Sequence, residues 1–325
     1  MLFAADYSRW ACAGASSVAR STVHRRRSKR RYGEAAKPAS LAPPFSPDAM
    51  ATAVAETDVA AGAALRAYAE AELGRAIECL GWTGARVHTG VHQARKSMRR
   101  VRATLDLGGA ALRPGSGVLE RELRAVIRQL SAARDAQALV ETLDRLIGAS
   151  AKEDERKLLR RARRAAARGR VAAIGSALAR DPGFGEKRAL LQFLRTLMAD
   201  LPWARVAMAQ ARRAIASSAQ AVEKAAARAR STGRDNDWHR WRRRARRLSQ
   251  QQRALTVIGE PAPRQRTDKQ LAVLLGEAQD YSLLRDHCGD DALFGKRDSS
   301  ALCRLAEAGA RRVRRKIEKA AAKGA

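Results

Sequence analysis

Aromatic residues make up only 4% of this 325-residue chain, and its 33 Asp and Glu fall far short of its 64 Lys and Arg. The first shortage argues against binding single-stranded nucleic acid by base stacking, which relies on aromatic platforms. The second leaves a formal net charge of +31. Charge of that size repels itself until a polyanion or salt neutralises it, so an acidic partner is expected. The four cysteines, Cys12, Cys79, Cys288 and Cys303, form no C-x-x-C pair, and no histidines stand at zinc-finger spacing. With no export signal, reduced thiols and a cytoplasmic location are expected. No apolar run approaches the roughly 18 residues a membrane helix needs. The opening MLFAADYSRW is too interrupted by polar residues for a signal-peptide core, and its positive charge follows it rather than preceding it. Phosphate-binding Gly-rich loops, G-x-S-x-G and paired-carboxylate constellations are all missing, so no enzyme activity and no cofactor are expected.

What remains is Ala, Leu, Arg and Glu with little period-2 alternation, which is an all-α composition. Residues 1–49 stand apart. The basic run HRRRSKRRYG and the Pro-rich LAPPFSPDAM predict a disordered arm, either an electrostatic tether or a solvated tail upstream of a start at Met50. From Met50 onward the apolar spacing predicts helices over Met50–Leu80, from about Arg86 to the Gly108-Gly109 pair, and from Leu119 onward, the last continuing or kinking past Asp135. A long helix from Lys152 to Ala179 carries a basic face of Arg160, Arg161, Arg164 and Arg168, and ends at Asp181-Pro182-Gly183. That turn divides the chain into halves of about 50–181 and 184–325. Further helices are predicted over Glu186–Asp200, Trp203–Arg230, Asn236–Ile258, Thr267–Cys288 and Ser299–Ala322, with Asp235 or Asn236 as an N-cap and Pro261 and Pro263 as a break. Four helices per half would suit a bundle.

The central stretch is VHQARKSMRRVRATLDL, from Val91 to Leu107. On a helix, Val91, Ala94, Met98, Val101 and Leu105 form an apolar seam. One residue round the cylinder, His92, Arg95, Arg99 and Arg102 form a cationic row, widened by Lys96 and Arg100. A row beside a packing seam lines the edge of its own helix interface, a place to hold a polyanion. The pattern recurs in WHRWRRRARRLSQQQRAL. There Trp238, Trp241, Ala245, Leu248 and Leu255 lie on the seam, His239, Arg242 and Arg246 on the row, and Arg243 and Arg247 where the first copy has Lys96 and Arg100. A second landmark follows each copy: SAARDAQALV carries Asp135, and LLGEAQDYSLL carries Asp280. Matching landmarks in matching order indicate an internal duplication.

The two H-x-x-R-[KR]-x-x-R-R helices, each followed by an L-x-x-x-x-x-x-[RQ]-D segment, resemble the CHAD family, the conserved histidine α-helical domain, over roughly residues 50–320. The resemblance implies a stand-alone, all-α protein of two pseudo-symmetric antiparallel four-helix bundles packed around a basic cavity. It further implies that this cavity binds inorganic polyphosphate and that the protein associates with polyphosphate granules. The chain departs from the family before the second copy, where VEKAAARARSTGRDND carries Lys224, Arg228 and Arg230 but no Tyr.

The residue types suit such a ligand. Polyphosphate presents a line of charge and no bases; Arg meets it as a planar fork and Lys as a point charge. A helix repeats them every turn, about 5.4 Å apart. His92 and His239 read either as phosphate contacts strengthened by protonation at acidic pH or as structural histidines. Asp135 and Asp280 read either as partners that orient an arginine or as helix-cap or turn residues, with Lys224 and Arg228 in support. His88 and His92 have an i, i+4 spacing that can chelate a metal, but the second copy has no counterpart to His88 and no metal is expected. Glu153-Asp154-Glu155-Arg156-Lys157 spells E-x-E-x-K, which marks triphosphate-tunnel enzymes on a strand; opening a helix, it reads as solvated charge. Two rivals stand beside polyphosphate binding: a non-specific nucleic-acid-binding protein using the same charge, and a metal-dependent enzyme acting on phosphate polymers.

Overall fold

The computed structural model describes residues 47–260, 269–289 and 293–323, with side chains described from Asp58. The expected arm, apart from its last three residues, and the Pro261–Pro263 break lie outside the described residues. All regular structure among the described residues is helical. The ten α-helices are α1 (Pro47–Leu80), α2 (Val87–Gly108), α3 (Gly115–Gln129), α4 (Ser131–Ala149), α5 (Glu153–Arg180), α6 (Gly185–Ala199), α7 (Met208–Thr232), α8 (Asp235–Val257), α9 (Lys269–Cys288) and α10 (Lys296–Lys323). Helix α1 begins at Pro47, three residues ahead of the expected start; proline at a first helical position gives up an N–H that has no partner there anyway.

Two expectations need correcting. The segment after Pro114 is not one helix but two, because Leu130 sits at φ −85° and ψ 5° and breaks the ladder between α3 and α4. Among the described residues each sequence half then has five helices, α6 falling where a separate helix was expected, one more than a four-helix bundle needs. Neither Asp235 nor Asn236 caps α8: Arg234 holds the cap position and Asp235 is the first helical residue. The Asp235 carboxylate is instead held by the guanidiniums of Arg285 and Arg314.

The turn at the middle of the chain is built by its own residues. Gly183 adopts φ 60° and Phe184 φ 53°, reversing the chain after α5. The buried Asp181 carboxylate accepts from the Glu186 and Lys187 amides at 3.0 and 3.3 Å and from Lys187 Nζ at 2.9 Å. These bonds satisfy orphan donors of the first turn of α6. Gly233 at φ 64° ends α7 with a left-handed residue and lets α8 fold back on it.

The helices pair as hairpins, α1 with α2, α4 with α5, α7 with α8 and α9 with α10. The core is partitioned across the sequence repeat. Helices α1, α2, α3 and α6 close one four-helix group, and α4, α5, α9 and α10 close the other. Each group surrounds its own cluster of buried apolar side chains, with Ala133 of α4 and Ile174 of α5 also entering the first. The α7–α8 hairpin belongs to both. Trp238, Trp241 and Ala245 at the start of α8 enter the second core, while Leu248, Ala254 and Leu255 at its end enter the first. Helix α8 therefore crosses from one core into the other, and Arg242 and Arg246 stand beside the crossover.

Candidate functional site

The two seams are buried as their spacing predicts. Met98 and Val101 are fully enclosed on α2, and Trp238 and Trp241 are 5% and 2% exposed on α8. Helix α2 packs directly against α8. A row one residue round from each seam is thereby carried to the margin of a shared interface, where a long cationic side chain can bury its stem and keep its head at a wet edge.

Between the rows lies a concentration of guanidinium groups. Arg95 and Arg99 come from α2, Arg242 and Arg246 from α8, and Arg134 from α4. Burial, then the charges of Arg246, Arg95, Arg242 and Arg134, push Arg99 down to about 9. Burial, then Arg246 and Arg134, lower Arg242 to about 10 despite the opposing charge of Asp280. Arg246 is lowered by burial and by Arg134, again against Asp280. These groups are crowded by like charge in a desolvated place. Arg99, Arg242 and Arg246 form no ion pair with any described residue. Arg134 has one partner, Glu141 at 3.1 Å, and a second nitrogen that is buried and unpartnered.

The remaining row residues are divided between the site and the scaffold. Arg95 donates to the Ile127 carbonyl and to Ser131 Oγ at 3.0 Å, tying α2 to the α3–α4 break. Arg100 forms a buried pair with Glu72 of α1 at 2.6 Å. Arg102 pairs with Glu120 of α3 at 2.9 Å, and Arg247 pairs with Asp106 of α2. Lys96 is half-buried, and Arg243 is exposed. Burial, then Arg100, Arg253 and Arg75, lower the Lys96 ammonium.

A cavity of about 280 Å³ opens beside this cluster, with Lys96, Arg100, Arg242, Arg246 and Arg253 in its wall and no carboxylate. A second, of about 260 Å³, lies between α8, α9 and α10 and shares Arg242 with the first.

The two histidines have different surroundings. Burial, then Arg134, pushes His92 down to about 4, and its Nδ1 is buried without a partner. In the free protein, burial and then the neighbouring Arg134 keep the His92 ring neutral down to about pH 4. His239 is lowered chiefly by burial, and its Nδ1 meets Gln279 Oε1.

The acidic landmarks are not helix caps, because Asp135 lies within α4 and Asp280 within α9. Asp280 pairs with Arg145 of α4 at 2.9 Å, joining the two hairpins of the second core. Its charge also favours the protonated forms of Arg242 and Arg246, as that of Asp135 does for Arg95. On α7, Lys224 is exposed, and Arg228 is exposed and bonded to Asp237 of α8 at 2.9 Å, so neither joins the cluster. Glu153 of the E-x-E-x-K stretch opens α5 and pairs with Arg156 and Arg160.

Sequence reasoning passed over Arg134 and Arg253 as site residues. Arg253 extends the second row seven residues beyond Arg246, so the spacing contained it. Arg134 sits next to a landmark and could be placed only by knowing that α4 faces α2.

The family model described as CHAD domain matches residues 67–289. Among solved structures, PptA from Streptomyces chartreusis superposes with a TM-score of 0.58 at 19% identity, over 80% of this chain and 98% of that one. No curated protein matches the chain. The matching model spans most of the sequence, including both cationic rows and both acidic landmarks, so this chain belongs to the CHAD domain family.

Proposed function

We propose that this protein binds inorganic polyphosphate in the basic cleft between α2 and α8. The observation that carries the reading is the set of partly buried arginines, Arg99, Arg242 and Arg246, which lack any described carboxylate partner and lie with Arg134 beside a cavity whose charged lining is all cationic. Buried charge without a counter-charge is unfavourable in the free protein, and a polyanion supplies what is missing. Membership of the CHAD family supports the same ligand. Arg99, Arg242 and Arg246 with Lys96 would contact the phosphates, Arg134 and Arg253 would extend the track, and Arg100, Arg102 and Arg247 would contribute from positions fixed by their carboxylates. His92 and His239 would be neutral neighbours. The role is binding rather than turnover, and attachment to polyphosphate granules would follow from it.

Non-specific nucleic-acid binding is the rival to exclude. It is disfavoured because Trp238 and Trp241 are buried in the core and cannot stack on bases. The test is a titration with long-chain polyphosphate at near-physiological salt, with duplex DNA and RNA as competitors. Tight binding that excess nucleic acid fails to displace supports a shaped polyphosphate site. Equal competition by all three would reduce the rows to a generic basic surface.

A further inference from the structure

The cavity between α8, α9 and α10 differs in chemistry from the one beside it. Besides Arg242, its wall carries Arg285 of α9 and Arg314 of α10. The orientation of these two is fixed, since both hold the Asp235 carboxylate. Arg314 also donates to the Gly233 carbonyl at 3.2 Å, and its guanidinium lies 5.3 Å over the Trp238 ring. The wall is not purely cationic, since Asp235 itself lines it between Arg285 and Arg314. Asp286 stands there with only a 3.4 Å contact to Arg285.

His239 supplies a second acceptor. Gln279 Oε1 lies against His239 Nδ1. An amide oxygen can only accept, so this contact assigns the ring proton to Nδ1 and leaves Nε2 a lone pair. Burial, together with Arg243 and Arg242, favours this neutral ring over Gln279 and Asp286, which oppose the shift. The cavity thus offers fixed cations together with acceptors. An anion bearing no proton would meet Asp286 and the Nε2 lone pair as repulsion. An anion with one hydroxyl could donate to one of them, and Nε2 is the one with no other partner among the described contacts.

Along a polyphosphate chain only the terminal groups fit that description. Each interior phosphate has lost its one acidic proton, whereas an end group keeps a second one that leaves near neutral pH, at about 6 in phosphate monoesters. We propose that this cavity is a chain-end subsite, in which Arg242, Arg285 and Arg314 hold the oxygens of a terminal hydrogen phosphate while its P–OH donates to His239 Nε2. Gln279 is then a positioning residue that sets the tautomer. The corresponding residue of the first repeat, Arg134, could only donate. The neighbouring cavity, with cations and no carboxylate in its wall, takes interior phosphates, and Arg242 joins the two. This inference rests on the polyphosphate reading above.

The test compares a short linear polyphosphate with the same chain carrying both ends blocked as esters, each titrated against the full-length protein. Blocking should weaken binding to the wild type about tenfold, the effect of one well-placed hydrogen bond. Gln279→Leu should bring the blocked-to-free ratio close to one. Gln279→Arg, which presents a donor to Nδ1 and moves the ring proton to Nε2, should bind both ligands more tightly while also removing the preference. In ³¹P NMR the terminal resonance of the free-ended chain should titrate at a higher pH when bound to wild type than to Gln279→Leu. Tight and equal binding of blocked and free chains by the wild type would overturn the subsite and leave polyphosphate binding standing. Failure to bind either chain would overturn both.

Discussion

The two repeats carry the same motif and do different work with it. In the first, His92 heads the row with an orphaned ring nitrogen, and the residue before the acidic landmark, Arg134, adds its charge to the cluster. In the second, His239 heads the row with its Nδ1 partnered, and the equivalent residue, Gln279, is the neutral group that partners it. The acidic landmarks diverge likewise: Asp280 is held by Arg145, whereas Asp135 is exposed. The matched halves thus differ around the arginine cluster, with a strongly cationic side and a side that mixes donors with acceptors. The amide-for-guanidinium difference between Gln279 and Arg134 changes both the local charge and the group offered to the nearby imidazole.

The comparison breaks most severely if both rows are reversed in charge. Arg99→Glu combined with Arg246→Glu should lower polyphosphate affinity about a hundredfold or more. Circular dichroism should show the helix content unchanged, since both side chains stand outside the apolar seams. A double variant with wild-type affinity would remove the cluster from the site.

Next comes the support beneath the first row. Glu72→Gln leaves Arg100 buried without its carboxylate and should destabilise the fold by roughly 3–5 kcal/mol, read from urea denaturation. The corresponding pair of the second row, Arg247 with Asp106, is more open, so Asp106→Asn should cost less.

Making the repeats alike sharpens the comparison further. Arg134→Gln should weaken polyphosphate binding about tenfold through one lost cation. It should also raise the stability of the free protein slightly, because it relieves repulsion on Arg99, Arg242 and Arg246.

The histidines give a pH test. The folded His92 titrates at about 4, below its ordinary 6.5, so the fold favours the neutral ring. Between those values the unfolded chain takes up a proton that the folded protein refuses. Stability should therefore fall as pH drops from about 6.5 towards 4. His88 and His239 are lowered too and contribute with the same sign. His92→Leu should shrink, not abolish, the stability difference between pH 7 and pH 5. The smallest effect is expected at Lys224, whose exposed position on α7 predicts that Lys224→Ala changes affinity by less than about threefold.

Much of this was legible in the chain. Apolar spacing located the helices to within a few residues and identified both seams, since a 3.6-residue period survives any tertiary context. The rows were legible for the same reason, and Arg253 lay within reach of the same count. The break at Leu130 was not, because nothing in VIRQLSAARD interrupts helical text; Arg95 reaching from α2 to the Ile127 carbonyl and Ser131 is a tertiary contact. The cap expected at Asp235 or Asn236, and the cap alternative for Asp135 and Asp280, failed for a related reason: in a protein this rich in guanidinium groups, Asp235 and Asp280 are held by arginines from distant helices, while Asp135 lies within α4 and acts on Arg95 across the α2–α4 contact.

The sequence by itself determined that the protein is all-α, duplicated, strongly cationic and a member of the CHAD family, because periodicity, charge and motif register are properties of the chain. Only the tertiary structure decided which arginines are left without a counter-charge. The formal charge is the same for every one of them. Whether a guanidinium finds a carboxylate depends on which helices the two cores bring together, and the partition of those cores cuts across the repeat from which they arose.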